Sequence, residues 1–177
     1  MRQISLRCRN LKNLEVWSVE GDWSFSSESI NLLLSGLPCL QKLIIVGFVE
    51  LEIGSVAHLQ ALIHFKIAFR EFLTDKLLIS ISKCSQLKAL DLCQARSDPR
   101  HLYSSNSLQA LANLRLLEDL KLVNICYLTD ELLISMTTNY SRLKNGFSIS
   151  HRHYPMLHSL LHTLFAKDLE LNVNKPT

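Results

Sequence analysis

One leucine pattern recurs along the chain, and no other feature narrows the possible folds as far. Leu114, Leu117, Leu120 and Leu122 give L-x-x-L-x-x-L-x-L. Equivalent runs are Cys8, Leu11, Leu14, Val16; Leu37, Leu40, Leu43, Ile45; Leu59, Leu62, Phe65, Ile67; and Cys84, Leu87, Leu90, Leu92. A degenerate sixth copy runs through Leu143, Phe147 and Ile149, and a seventh through Ala166, Leu169 and Leu171. Counted from Leu14 through positions 43, 65, 90, 120, 147 and 169, the steps are 29, 22, 25, 30, 27 and 22 residues. Most fall in the ~20–29-residue period at which a strand and a helix or turn form one repeating unit. One such unit cannot bury its leucine face alone, whereas stacked units share a continuous core.

The segments between the leucine runs repeat as well. Ser27, Thr74 and Ser104 each lie 13 residues before Leu40, Leu87 and Leu117, and Thr129 lies 14 before Leu143. Each stands just ahead of an apolar helical run, where a hydroxyl can cap a free backbone N–H. Asp75 and Asp130 follow two of them and place a carboxylate at the positive end of the helix dipole. The unit is therefore predicted to be a short strand, a turn and a capped helix of about three turns. The third unit, with Gly54, has room only for a turn or one helical turn, and the polar stretch 93–107 with Pro99 is expected to protrude as a loop. Gly21, Gly36, Gly47 and Gly54 are read as turn residues. A helix over 155–166 and a short strand through Leu169, Leu171 and Val173 are expected to close the chain. At the other end the first repeat starts without a polar capping element, which suggests a fragment.

Composition matters mainly for what it excludes. The longest clean apolar run, 43–49, is far short of the ~18 residues of a membrane helix, and the opening MRQISLRCRN has no apolar signal core. The net charge of +3 comes from scattered residues, with no basic block interleaved with aromatics for nucleic acid. Neither a membrane nor a nucleic acid is an expected partner. The five cysteines (Cys8, Cys39, Cys84, Cys93, Cys126) form no C-x-x-C pair. Reduced, mostly buried thiols and a cytoplasmic or nuclear location are expected ahead of a disulfide framework.

With Leu73-Thr74-Asp75, Leu128-Thr129-Asp130 and Cys84-x-x-Leu87-x-x-Leu90-x-Leu92 on the page, the chain resembles the cysteine-containing class of leucine-rich repeats. The resemblance covers roughly residues 8–150. It implies an α/β leucine-rich-repeat solenoid of about six or seven repeats, with a curved parallel sheet on the concave side and helices on the convex side. Residues 1–177 would form one such domain, in which 151–177 is a degenerate C-terminal helix and last strand or cap. That class is best known from F-box/leucine-rich-repeat proteins, whose F-box docks on an SCF ubiquitin ligase while the repeats hold the substrate destined for proteasomal degradation. This chain departs from the pattern: Cys93 comes one residue after Leu92 and Cys126 four after Leu122, where the class places its strand cysteine three after. Leu37-Pro38 has the dipeptide of an F-box start but lies inside the second repeat, and no F-box is found.

Chemistry-bearing residues have simpler readings. His151, His153 and the i, i+4 pair His158/His162 have spacing that can bind zinc, weighed against a solvated helix face and loop. Cys84 reads as core, and Asp75 and Asp130 as equivalent helix-start residues rather than a catalytic pair. The glycines form no phosphate loop. No enzyme, cofactor or metal is expected. What remains is the face between the core leucines, since strand side chains alternate. It carries Ser148/Ser150, Lys121/Val123, Asp91/Cys93, Lys66/Ala68, Ile44/Val46 and Glu15/Trp17. The row Trp17, Val46, Ala68, Cys93, Val123 is apolar, and Glu15, Lys66, Asp91 and Lys121 flank it with alternating charge. An aromatic anchor in an apolar patch with a charged rim resembles a protein-binding hot spot. β-Propensity alone, or packing of Trp17 on Trp23, would give the same residues. The expectation is a non-catalytic protein-interaction module. Its leading form is the substrate-recognition repeats of an F-box-type subunit, which would reach cullin-ligase components through an F-box outside this sequence. The alternative is a free-standing scaffold or inhibitor.

Overall fold

The computed structural model describes residues 7–18, 26–50, 52–95, 103–126, 128–143 and 146–150. The histidine-rich tail, Trp23, Gly21 and Pro99 fall outside them, as do the helix and strand expected after 150. Six strands form one sheet in sequence order: β1 (Asn13–Trp17), β2 (Lys42–Glu50), β3 (His64–Phe72), β4 (Ala89–Gln94), β5 (Asp119–Val123) and β6 (Gly146–Ser150). Every neighbouring pair is parallel. Helices alternate with the strands: α1 (Ser27–Ser35), α2 (Asp75–Ile81), α3 (Ser105–Ala110) and α4 (Asp130–Asn139). The short third unit makes only a 3-10 turn, Gly54–His58. The molecule is thus an α/β fold on an all-parallel sheet.

The leucine pattern has a backbone cause. Its first two positions bracket a tight turn: Leu40 N–H donates to Leu37 O, Leu62 to Leu59, Leu87 to Cys84, Leu117 to Leu114 and Leu143 to Tyr140. Its last two enter the strand, where alternate residues face one side. The strand leucines pair in register, Leu14 with Leu43, then Phe65, Leu90, Leu120 and Phe147. A carbonyl just before each of β1 to β4 accepts two N–H groups from the next unit. Lys12 O takes Gln41 and Lys42, Gln41 O takes Ile63 and His64, Ile63 O takes Lys88 and Ala89, and Lys88 O takes Glu118 and Asp119. Leu43, Ile45, Phe65, Ile67, Leu90, Leu92, Leu120 and Leu122 are buried in one core with the helix residues Ile30, Leu34, Leu77, Leu78, Leu108, Leu133 and Met136. Each such side chain stabilises the fold by about 1.5–3 kcal/mol relative to exposure.

Thr74, Ser104 and Thr129 cap their helices as expected, accepting from Leu77, Ser107 and Leu132 N–H at 3.4, 3.3 and 3.3 Å. In the first helix the cap is Ser26, not Ser27: Ser26 accepts from Ser29 N–H, and Ser27 Oγ accepts from Glu52 N–H in the next connection. The serine run 26–27 offers two hydroxyls, and a contact between units decides which one caps. The helices are shorter than three turns in α2 (7 residues) and α3 (6 residues). Gly47 is not a turn residue. It lies inside β2 at φ 89°, next to a register shift, and a Cβ there would collide with Ser18 O. Ahead of α3, buried Tyr103 donates its hydroxyl to Cys126 O and accepts from Cys126 N–H at 2.7 Å.

The position three residues before the second motif leucine also ties units together. Cys84 Sγ donates to Val56 O at 3.3 Å and Tyr140 Oη to Leu111 O at 2.8 Å, each reaching the same place in the preceding unit. Cys84 is fully buried, and burial pushes its thiol up to about 12. Cys84 is therefore a core residue with a protonated thiol.

Candidate interaction surface

Residues that alternate with the core leucines emerge on the opposite face of the sheet. The register assembles them into three rows running across the strands. The first is Asn13, Lys42, His64, Ala89, Asp119; the second is Glu15, Ile44, Lys66, Asp91, Lys121; the third is Trp17, Val46, Ala68, Cys93, Val123. Ser148 and Ser150 occupy the register positions beside Lys121 and Val123. Every residue expected on this face stands in its row, and the residues of a row are brought together from five separate units. Strands lie about 4.8 Å apart, so the third row extends on the order of 19 Å.

The rows differ in exposure and charge. Trp17 is 59% exposed at the end of the third row, while Val46, Ala68, Cys93 and Val123 are half-buried by their neighbours. Cys93 sits between Ala68 and Val123. Burial raises its thiol pKa and Asp91 adds to the shift, against Lys121 and Lys66. The thiol is thus protonated at neutral pH and serves as a small apolar group rather than a nucleophile. In the second row Lys66 Nζ lies 3.3 Å from Asp91 Oδ2. Across rows, Lys42 Nζ reaches Glu15 Oε1 at 3.1 Å. Both lysines are well exposed, so each pair contributes only about 0–1 kcal/mol.

The first row was missed by reading the sequence, yet it shapes the surface most. A cleft of about 230 Å³ opens between β2 and β5, lined by Lys42, His64, Lys66, Asp91, Asp119 and Lys121, with Ala89 among the residues at its base. Ala89 is shorter than either neighbour in its row and leaves the gap between His64 and Asp119. The same alternation, carried one step before each strand leucine, points to these positions in the sequence. Asp119 has its pKa raised by burial and by the charge of Asp91, against His64 and Lys121. Among the described residues there is no group of three or more His, Cys, Asp or Glu placed to hold a metal, and no helix long and apolar enough to cross a membrane. The four tail histidines lie outside the described residues.

Comparison with protein-family models finds none that matches this chain, and comparison with curated proteins finds no match either.

Proposed function

We propose that the chain is a leucine-rich-repeat solenoid whose open sheet face, on the concave side, binds another protein without catalysing a reaction. One observation carries the reading: a row of apolar side chains from five strands ends in a tryptophan 59% exposed to water, beside a row of alternating charge. Leaving a large aromatic in water costs burial energy that a partner would recover, and Trp is enriched at the energetic centres of interfaces. The cleft, at about 230 Å³, is below the ~300–1,000 Å³ of ordinary small-molecule sites, which favours a macromolecular ligand.

By its L-T-D and leucine motifs, the bound protein would be the substrate of an SCF-type ubiquitin ligase, which other components modify. Co-purification tests that assignment. The cullin-ligase adaptor should accompany the full-length protein from cells, and its absence would leave the free-standing scaffold or inhibitor as the reading. The double variant Trp17→Ala with Val46→Ser tests the surface itself: partner binding should fall while thermal stability stays near the wild type. A large loss of stability would mean that these side chains belong to the core.

A further inference from the structure

The cleft over Ala89 is electrically balanced, and that balance restricts what can enter it. Asp91 and Asp119 contribute two carboxylates, and Lys66 and Lys121 two ammonium groups, while Lys42 is drawn away to Glu15 at 3.1 Å. The His64 imidazole has no hydrogen-bond or ion-pair partner among the described residues. A cation entering here would meet Lys66 and Lys121, and an anion would meet Asp91 and Asp119. One hydrogen-bonding need remains open, and one donor faces water beside it. Asp91 uses one oxygen on Lys66, and its Oδ1 is closed off from solvent without a partner. The Lys121 side chain, which faces Asp91 in register on the next strand, is exposed and has no hydrogen-bond or ion-pair partner among the described residues.

An acceptor lacking a donor costs about 1–3 kcal/mol, and the terminal torsion of an Asp carboxylate turns easily. A donor arriving in the cleft can therefore be met by a small rotation of Asp91. Among uncharged side chains that offer both a donor and an acceptor, a hydroxyl carries the two on one atom, whereas a carboxamide carries them on separate atoms that can meet Asp91 and Lys121 at once. We propose that the cleft receives an asparagine or glutamine side chain of the bound protein, its NH2 donating to Asp91 and its C=O accepting from Lys121. The apolar stripe beginning at Trp17 then holds neighbouring apolar residues of the same segment. This deepens the protein-binding reading and rests on it.

Selection of a random phage-displayed peptide library on the full chain tests the proposal. Asn or Gln should recur beside an apolar residue in the selected peptides. Binding of a selected peptide should weaken roughly ten-fold when that carboxamide is replaced by Met, the scale expected for one lost buried hydrogen-bonding pair. Ala89→Leu, which fills the cleft and leaves every charge in place, should weaken it similarly. Lys121→Met, at an exposed position, provides a second reading if Ala89→Leu fails to fold. Recurrence of Arg, Lys, Asp or Glu in place of the carboxamide overturns the proposal. So does a peptide that loses affinity in Trp17→Ala but ignores both Ala89→Leu and Lys121→Met, although that result leaves the protein-binding reading intact. Selected peptides indifferent to all three variants, or no selected peptide at all, overturn both.

Discussion

The two faces of the sheet are built by the same strands and obey opposite rules. On the helix side the registered row Leu43, Phe65, Leu90, Leu120 hardly changes from unit to unit, because each side chain packs against its copies above and below. On the open side the adjoining row reads Ile44, Lys66, Asp91, Lys121 and changes at every step. Water tolerates any of these, so repetition imposes nothing on them. The uniform face thus accounts for the fold, and the varied face is free to differ from unit to unit, as the proposed binding role requires.

Breaking the uniform face should have the largest effect. Leu90→Ala, fully enclosed between Phe65 and Leu120, should cost about 2–5 kcal/mol in urea unfolding. If Lys66→Ala, one rung across on the other face, costs as much, the contrast between faces is wrong. Next in size is Trp17→Ala, expected to reduce partner binding by about 2 kcal/mol while changing stability by less than about 0.5. The Thr74→Ala cap variant should lose about 1 kcal/mol, read from the same urea curves.

Acid titration sharpens the comparison on the helix side. Hydroxyl and N–H donors of Ser107 and Ser104 hold the Asp75 carboxyl below its ordinary 3.8, against burial. Of these contacts the Ser104 N–H, at 2.7 Å, is the shortest, while the Ser107 hydroxyl itself donates to Ser104 O at 2.8 Å, so the Ser104 N–H is the main hold. A depressed folded-state pKa adds stability above the unfolded value, and that stability is lost as pH falls through the folded one. Urea midpoints should therefore drop less for Asp75→Asn than for the wild type between about pH 5 and about pH 2. Asp119, on the open face, shifts the other way: its raised folded-state pKa makes the charged form a cost above the 3.8 of a free carboxyl. Asp119→Asn should produce the smallest change, a slight stabilisation at neutral pH that disappears in acid.

Strand positions, their pairing partners, three of the four caps and the 3-10 turn at Gly54 were legible in the sequence. Each follows from periodicity or from a local hydrogen bond. The exceptions came from contacts between units. Glu52 N–H claims Ser27 and leaves Ser26 to cap α1. The close approach of Ser18 O calls for a residue without a Cβ at 47, inside β2 and not at a turn. Asp75, read as a dipole residue of its own helix, also accepts from Ser104 at the start of the next helix.

The same division holds for the candidate surface. Alternation along the strands, together with a repeat length that keeps the leucines in register, was enough to list Trp17, Val46, Lys66, Asp91, Cys93 and Lys121 on one face. Both properties depend only on the chain. The cleft depends on stacking. It exists because Ala89 stands between His64 and Asp119 once three units lie side by side, and because Lys66 occupies one oxygen of Asp91 and leaves the other unpartnered. Gaps and unpaired atoms are properties of neighbours in space, so only the tertiary structure decides them.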